Sequence, residues 1–306
     1  MIWTRRSFQY SIILLLALVW GSSFILMKIG LKSFSPNQAA AIRILLASLF
    51  LLPLAIKNLK YLKRKDIKSL LVAGFIGSFI PAFLFTRAQT RVDSAVAGML
   101  NSLTPVFTLI VGILFFKTRT GWKQVLGLML GLAGAVWLVS IGEGVTLRSI
   151  NTYALFIVLA TLMYGTNVNV IKSTLTHLTG IQITSLSFMF LWPFALIYLL
   201  TTDFQPVLAS PGWPRHLLAL VTLGIVGTAL AMLLMNSLIR YTSAVFASSV
   251  TYIIPVFAIG WGILDGEKVT LLHLGSMALI LLGVYLINIR PSVNTSPLSV
   301  NRAGDA

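Results

Sequence analysis

The sequence predicts an all-α membrane protein: ten transmembrane helices, arranged as two inverted five-helix repeats around a central cavity. Three observations lead there. Hydrophobic residues make up 57% of the 306 and charged residues only 10%, with a mean hydropathy of +0.93, whereas a soluble domain carries about 25% charged residues. Apolar runs such as Ser11–Met27, Leu126–Ile141 and Leu271–Ile289 approach the roughly 20 residues that a bilayer-spanning helix needs. The pattern also occurs twice. At an offset of 144, Trp20-Gly21-Ser22-Ser23 falls on Tyr164-Gly165-Thr166-Asn167 and Lys28 on Lys172. At an offset of 150, Gly74, Gly77, Pro105, Phe107 and Gly112 fall on Gly224, Gly227, Pro255, Phe257 and Gly262. The slip between the two offsets belongs in the region between the second and third spans, where an insertion sits in a loop. A repeating unit with an odd number of spans must cross the membrane in opposite senses. Inverted repeats are the signature of secondary transporters, whose substrate sites form between the halves near mid-membrane.

Taken in order, hydropathy places the spans at 9–31, 36–56, 67–89, 94–116, 121–141, 151–173, 180–201, 214–237, 243–264 and 270–289. Residues 9–143 form the first repeat and 150–290 the second. The Ser-, Asn- and Pro-rich tail 291–306 lacks apolar periodicity and is expected to be disordered on the cytoplasmic side. The first span follows Thr4-Arg5-Arg6-Ser7-Phe8, which resembles a twin-arginine or cleaved export signal. Its apolar run continues through Trp20-Gly21, however, and that pair has a repeat partner at Tyr164-Gly165, so the segment is read as a retained helix. The second span carries Arg43, and the third and eighth carry the paired glycines. The fourth and ninth hold polar clusters before mid-span prolines, and the fifth and tenth are rich in glycine.

A net charge of +16 raises the question of nucleic acid, but the positions argue otherwise. With ten spans and a cytoplasmic N-terminus, fifteen basic residues face inward, seven face outward, and Arg43 lies within a span. This is the positive-inside bias, and it places both termini in the cytoplasm. The run Lys57–Lys68 is read as a topology signal in contact with anionic lipid rather than as an RNA patch. The absence of cysteine removes disulfides, thiolate metal sites and a cysteine nucleophile. No metal or cofactor is expected, and the expected partners are a small-molecule substrate and membrane lipids.

All seven carboxylates and all three histidines fall in loops or at span ends. Ionisable groups in mid-membrane mark proton relays and ion pathways. None is available here, so the simpler reading is movement down a gradient, with Asp93 and Glu267 as the residues to consider if coupling to protons occurs. The same absence counts against a pump for cationic drugs, which needs a buried anion. Lys28 and Lys172 near the span ends are read as snorkelling, with Lys28 also a candidate anion binder. Arg43, flanked by Ala39-Ala40-Ala41 and Leu45-Leu46-Ala47, must face protein or water. It either binds a substrate carboxylate or phosphate or serves a structural network. Its counterpart in the second half is Ser187.

Asn101-Ser102-Leu103-Thr104-Pro105 and Ser248-Ser249-Val250-Thr251-Tyr252 before Pro255 place polar groups just ahead of proline kinks. Each proline frees the carbonyl four residues earlier, at Asn101 and Thr251. Either those groups face a central cavity, or Ser and Thr satisfy the kink locally. Trp20 with Tyr164, Asn167 and Asn169 forms the other symmetric cluster and a candidate cavity wall. The candidate substrate-binding set is therefore Trp20, Asn101, Tyr164, Asn167, Thr251 and Tyr252. Gly127-Leu128-Met129-Leu130-Gly131, continued to Gly134, suggests close helix packing or a homodimer.

These residues resemble the EamA family of the drug/metabolite transporter superfamily across about 9–290. The likeness rests on Trp20-Gly21-Ser22-Ser23-Phe24; Ser35-Pro36 with Arg43 and Ala47; Leu103-Thr104-Pro105-Val106-Phe107; Pro255 with Gly266-Glu267; and the glycines of 127–134 and 275–283. The resemblance implies a multi-pass permease of the bacterial inner membrane, with ten helices around a central pathway, that moves small metabolites, often exporting amino acids. One departure is that Phe116-Lys117 replaces the Gly-Glu pair in the first half. Carriers of lipid-linked or nucleotide-linked sugars are the alternative, which would favour an anion site at Arg43 or Lys28. An enzyme is disfavoured, because no His-Glu-x-x-His, Gly-x-Ser-x-Gly or intramembrane carboxylate pair is present. A membrane sensor would need an output domain.

Overall fold

The computed structural model describes residues 2–118, 120–141, 152–242 and 250–289, and the regular structure among them is all helical. Eight stretches are long and apolar enough to cross a bilayer: Arg6–Gly30, Pro36–Tyr61, Arg64–Ala88, Ser94–Phe116, Trp122–Val139, Thr152–Thr174, Gly180–Leu200 and Trp213–Leu238. Two shorter apolar helices follow, Val250–Leu264 and Leu271–Ile287. Outward-facing side chains such as Phe115 (75% exposed), Leu200 (77%) and Leu264 (79%) make a surface that lipid satisfies and water does not. The chain is a multi-pass membrane protein. Residues 243–249, with Ser248 and Ser249, lie outside the described residues, as do the junction between the expected repeats and the tail 291–306.

The helix boundaries recur at the spacing of the sequence repeat. Ser35 and Gln38 form a capping box on Pro36–Asn58: Gln38 N donates to Ser35 Oγ at 3.2 Å and Ser35 N to Gln38 Oε1 at 2.9 Å. At an offset of 144, Thr179 and Gln182 do the same for Gly180–Met189, at 3.1 and 2.8 Å. One π-helical segment spans Phe75–Phe79 and another Ile225–Leu230, 150 residues on. Past these the offset changes once more. The left-handed residues that end two helices are Lys117 (φ 53°) and Gly266 (φ 82°), 149 apart. The next residue folds back in both cases, with Thr118 N donating to Gly112 O and Glu267 N to Gly262 O, each at 2.9 Å. The structural counterpart of Glu267 is therefore Thr118. This corrects the assignment to Lys117, which assumed a constant offset through the turn.

Packing follows the same relation. Arg6–Gly30 lies along Val250–Leu264, and Thr104–Phe116 along Thr152–Thr174. Glycine brings the backbones together in both pairs. A Cβ on Gly21 would lie 2.5 Å from Phe257 Cβ and 2.9 Å from the Ile254 carbonyl. A Cβ on Gly165 would lie 2.6 Å from the Thr108 amide nitrogen. Trp122–Val139 packs along Leu271–Asn288, where Gly127, Gly131 and Gly134 meet backbone or side-chain atoms of Gly283, Val106 and Ile280. The small-residue stripe thus serves close helix packing within this chain.

The expected proline kinks take two forms. Pro255 lies inside Val250–Leu264. Pro105 instead opens a new helix, because the stretch 94–116 breaks at Ser102-Leu103 into Ser94–Asn101 and Thr104–Phe116. In the first turn a missing amide hydrogen costs nothing, since that donor has no partner within the helix.

Candidate functional site

A cavity of about 190 Å³ lies among these helices. Trp20, Arg43, Asn101, Tyr164, Asn167 and Thr251 all line it. Much of the remaining wall is apolar, including Phe24, Met27, Phe85 and Ile254. Among the described residues, aspartate and glutamate are absent from the lining.

The π segments shape this wall. A π turn leaves carbonyls out of the normal i to i−4 ladder and is frequent at functional sites. In Ile225–Leu230 the Gly227 carbonyl accepts Trp20 Nε1 at 3.1 Å, which holds the indole against the cavity. Thr228 Oγ1 donates to Leu223 O at 2.9 Å and receives Arg43 Nε at 2.7 Å. The guanidinium is thus aimed by one neutral hydroxyl, with no acidic partner among the described residues. In the other π segment, Gly77 lets Asn167 press onto the backbone, since a Cβ there would overlap the Asn167 amide. Asn167 is 7% exposed and its Oδ1 has no hydrogen-bond partner. A buried carbonyl oxygen left unsatisfied costs about 1–3 kcal/mol. The wall therefore presents a cation with no acidic partner among the described residues, while the unsatisfied Asn167 Oδ1 is itself enclosed.

Other expectations are corrected. The carbonyls freed by the prolines face other protein groups: Asn101 O accepts Thr104 Oγ1 at 2.9 Å, and Thr251 O accepts Ser102 Oγ at 3.0 Å. Local Ser and Thr chemistry, with one bond between helices, satisfies the breaks. Tyr252 lies off the cavity wall, its hydroxyl donating to Val284 O at 2.9 Å. Asn169, from the same cluster as Tyr164, bonds the Thr108 and Gly165 carbonyls, both at 2.9 Å. Lys28 is ion-paired, with Nζ 2.7 Å from both Asp265 Oδ2 and Glu267 Oε1. Sequence reasoning missed Thr228, Ser23, Asn236 and the lining role of Lys172. Thr228 follows Gly227 directly, so the repeat glycine was the available signal.

Glu267 ties one end of the bundle together. Besides Lys28, its carboxylate accepts the amides of Ser94 and Ala95, each at 2.9 Å, at the start of Ser94–Asn101. Burial works to raise its pKa, but the Lys28 bond and the two amides together hold it below the usual carboxylate range. Asp93 shifts the other way, raised by burial and by the neighbouring Glu267 charge. The signs give opposite pH behaviour. The contribution of Glu267 is complete above the ordinary carboxylate pKa and is lost only as pH falls through its lowered folded value. That of Asp93 is present at acid pH and is lost as pH rises through its raised folded value. At neutral pH, Glu267→Ala is expected to cost about 3 kcal/mol, the order found when one partner of a buried pair is removed. Asn at 93 is expected to raise the melting temperature. Thermal unfolding of both variants in detergent tests this, and an unchanged Glu267→Ala midpoint would refute it.

The profile of the EamA-like transporter family matches residues 7–140 and again residues 151–289. The uncharacterized inner membrane transporter YedA of Escherichia coli (strain K12) is 29% identical over 291 residues, covering 91% of this chain and 92% of its own. The probable terminal-alkyne amino-acid exporter of Streptantibioticus cattleyicolor is 23% identical over 292 residues, covering 91% and 92%. A crystal structure of another protein, 16% identical, superposes with a TM-score of 0.63 over 92% of this chain and 96% of that one, a likeness of fold.

Proposed function

The chain belongs to the EamA-like transporter family, and from that premise we propose that it exports amino acids or closely related metabolites by alternating access. The observation that carries the substrate class is Arg43, a cation on the cavity wall with no acidic partner among the described residues. An α-amino acid brings a carboxylate to that cation, and neutral polar groups of the same wall, Asn101 and Tyr164 among them, suit its ammonium. The apolar remainder of the wall suits an aliphatic side chain, so L-leucine is the probe of choice. The printed name of the Streptantibioticus cattleyicolor relative, an amino-acid exporter, points the same way. The test is counterflow of the proteinogenic amino acids into proteoliposomes. Exchange of none of them would overturn this reading. Because no carboxylate lines the cavity, an imposed pH gradient is expected to leave the final substrate ratio at about one. Gradient-driven accumulation would direct attention to Asp93 and Glu267.

The architecture in this proposal is ten spans, with residues 9–143 and 150–290 as inverted halves, in the bacterial inner membrane with both termini cytoplasmic. The shared offsets of the caps, π segments and helix pairs support the halves, and the name of YedA supports the membrane. Reporter fusions after Lys65 and Arg302 are expected to read cytoplasmic, and a fusion at Arg148 external. An external C-terminus would require an odd number of spans and defeat the inverted arrangement.

A further inference from the structure

Lys28 and Lys172 stand 144 residues apart, at equivalent positions of the repeat. Lys28 shows what this position holds when its end of the bundle is filled: two carboxylates, each at 2.7 Å. Lys172 makes no ion pair among the described residues. Where Glu267 folds over Gly262, Thr118 folds over Gly112, so the equivalent place carries a hydroxyl. Lys172 is exposed and lines the cavity that contains Arg43. Together with Ile171 and Asn236 it also lines a second cavity, which continues past Leu175 and Thr176 towards Gly180. Neither lining includes an acidic residue.

This mouth lies at the basic end of the molecule. His177, five residues further on, bonds Asp66 at 2.9 Å, next to the Lys57–Lys68 run. Tyr164, on the wall with Arg43, precedes Lys172 by eight residues on one helix, about 12 Å along its axis at 1.5 Å per residue. Lys172, exposed and also lining the second cavity, therefore stands nearer the outside than Arg43, and a carboxylate entering from that end meets it first.

We propose that Lys172 is the anion station at the mouth of the cavity, where a carboxylate-bearing ligand docks before it moves on to Arg43. The proposal rests on the amino-acid reading above and identifies the residue that selects for the carboxylate at the entrance. The full chain in vesicles of each orientation tests it, with L-leucine as substrate and L-leucinamide, which lacks the carboxylate, as competitor. Lys172→Met is expected to raise the half-saturating L-leucine concentration about five- to tenfold at one face only, with the maximal rate unchanged within about twofold, the size of one lost charge-assisted bond. The increase is expected to shrink at high salt, and inhibition by L-leucinamide to stay as in wild type. Lys172→Arg is expected to restore wild-type behaviour. Thr118→Glu offers Lys172 the internal partner that Lys28 has. It is expected to weaken L-leucine binding in the wild-type background and to add nothing to Lys172→Met. This pair of variants also carries the test if Lys172→Met folds poorly. Wild-type half-saturation in folded Lys172→Met, an equal change at both faces, or an equal change for L-leucinamide overturns the station and leaves the transport reading intact. A wild type that exchanges no amino acid overturns both.

Discussion

Arg43→Met is expected to raise the half-saturating L-leucine concentration more than any other single change in the cavity, by at least about 30-fold. The flanking residues Ala39, Ala40, Ala41 and Ile44 are fully buried, so the guanidinium stands on a rigid, dry stretch of helix. Truncating one member of a desolvated charge pair costs about 2–5 kcal/mol, or roughly 30- to 5,000-fold in affinity. The fold is expected to survive. Arg43 makes its hydrogen bond to Thr228, and that hydroxyl keeps its own bond to Leu223 O at 2.9 Å. Trp20→Ala and Asn101→Ala are expected to weaken transport about 5- to 150-fold, the range for one lost hydrogen bond of 1–3 kcal/mol. Lys57→Ala, on the basic rim, should leave affinity unchanged. Counterflow titrations on variants with wild-type melting temperatures decide the matter. A folded Arg43→Met with wild-type half-saturation would move the site elsewhere.

Gly21→Val and Gly165→Val are expected to abolish recovery of folded protein. At Gly21 the intruding carbon would meet Phe257 Cβ at 2.5 Å and the Ile254 carbonyl at 2.9 Å. At Gly165 it would meet the Thr108 nitrogen at 2.6 Å and the Phe107 carbonyl carbon at 2.8 Å. These are mostly backbone atoms on paired helices, so relief requires moving a whole helix rather than turning a rotamer. Overpacking in a dense core costs about 1–3 kcal/mol even where side chains can shift. Gly260→Ala is the control, because nothing lies within 4 Å of a Cβ there. It is expected to stabilise slightly by restricting the unfolded chain. Size-exclusion profiles in detergent provide the readout. Monodisperse Gly21→Val at wild-type yield would show that the helices can separate at little cost.

Hydropathy revealed the apolar stretches because lipid tolerates little else on a helix surface. The repeat was legible through glycines, which mark close approaches: to backbone at Gly21, Gly165, Gly74 and Gly224, and to side chains at Gly77, Gly112, Gly227 and Gly262. The reading failed where one residue is gained or lost in a turn. Lys117 and Gly266 share a conformation at an offset of 149, and a register set by Gly112 and Gly262 misses that by one position. The π segments carry no period that hydropathy detects, so Thr228 could not be set against Arg43. Asn101, Asn167 and Thr251 were nameable from their apolar surroundings. Tyr252 was not separable from them, because an adjacent residue on a helix points about 100° away. Only tertiary packing reveals that its hydroxyl reaches Val284.

Arg43 and Ser187 occupy equivalent places: a Cβ on Gly224 would lie 3.0 Å from the Arg43 carbonyl, and one on Gly74 3.0 Å from the Ser187 carbonyl. Their helices, Pro36–Asn58 and Gly180–Met189, pack on each other and carry matching capping boxes 144 residues apart. The repeat is thus broken in charge at this place, and a carboxylate drawn to the wall beside Arg43 meets one cation with no equivalent second one to receive it.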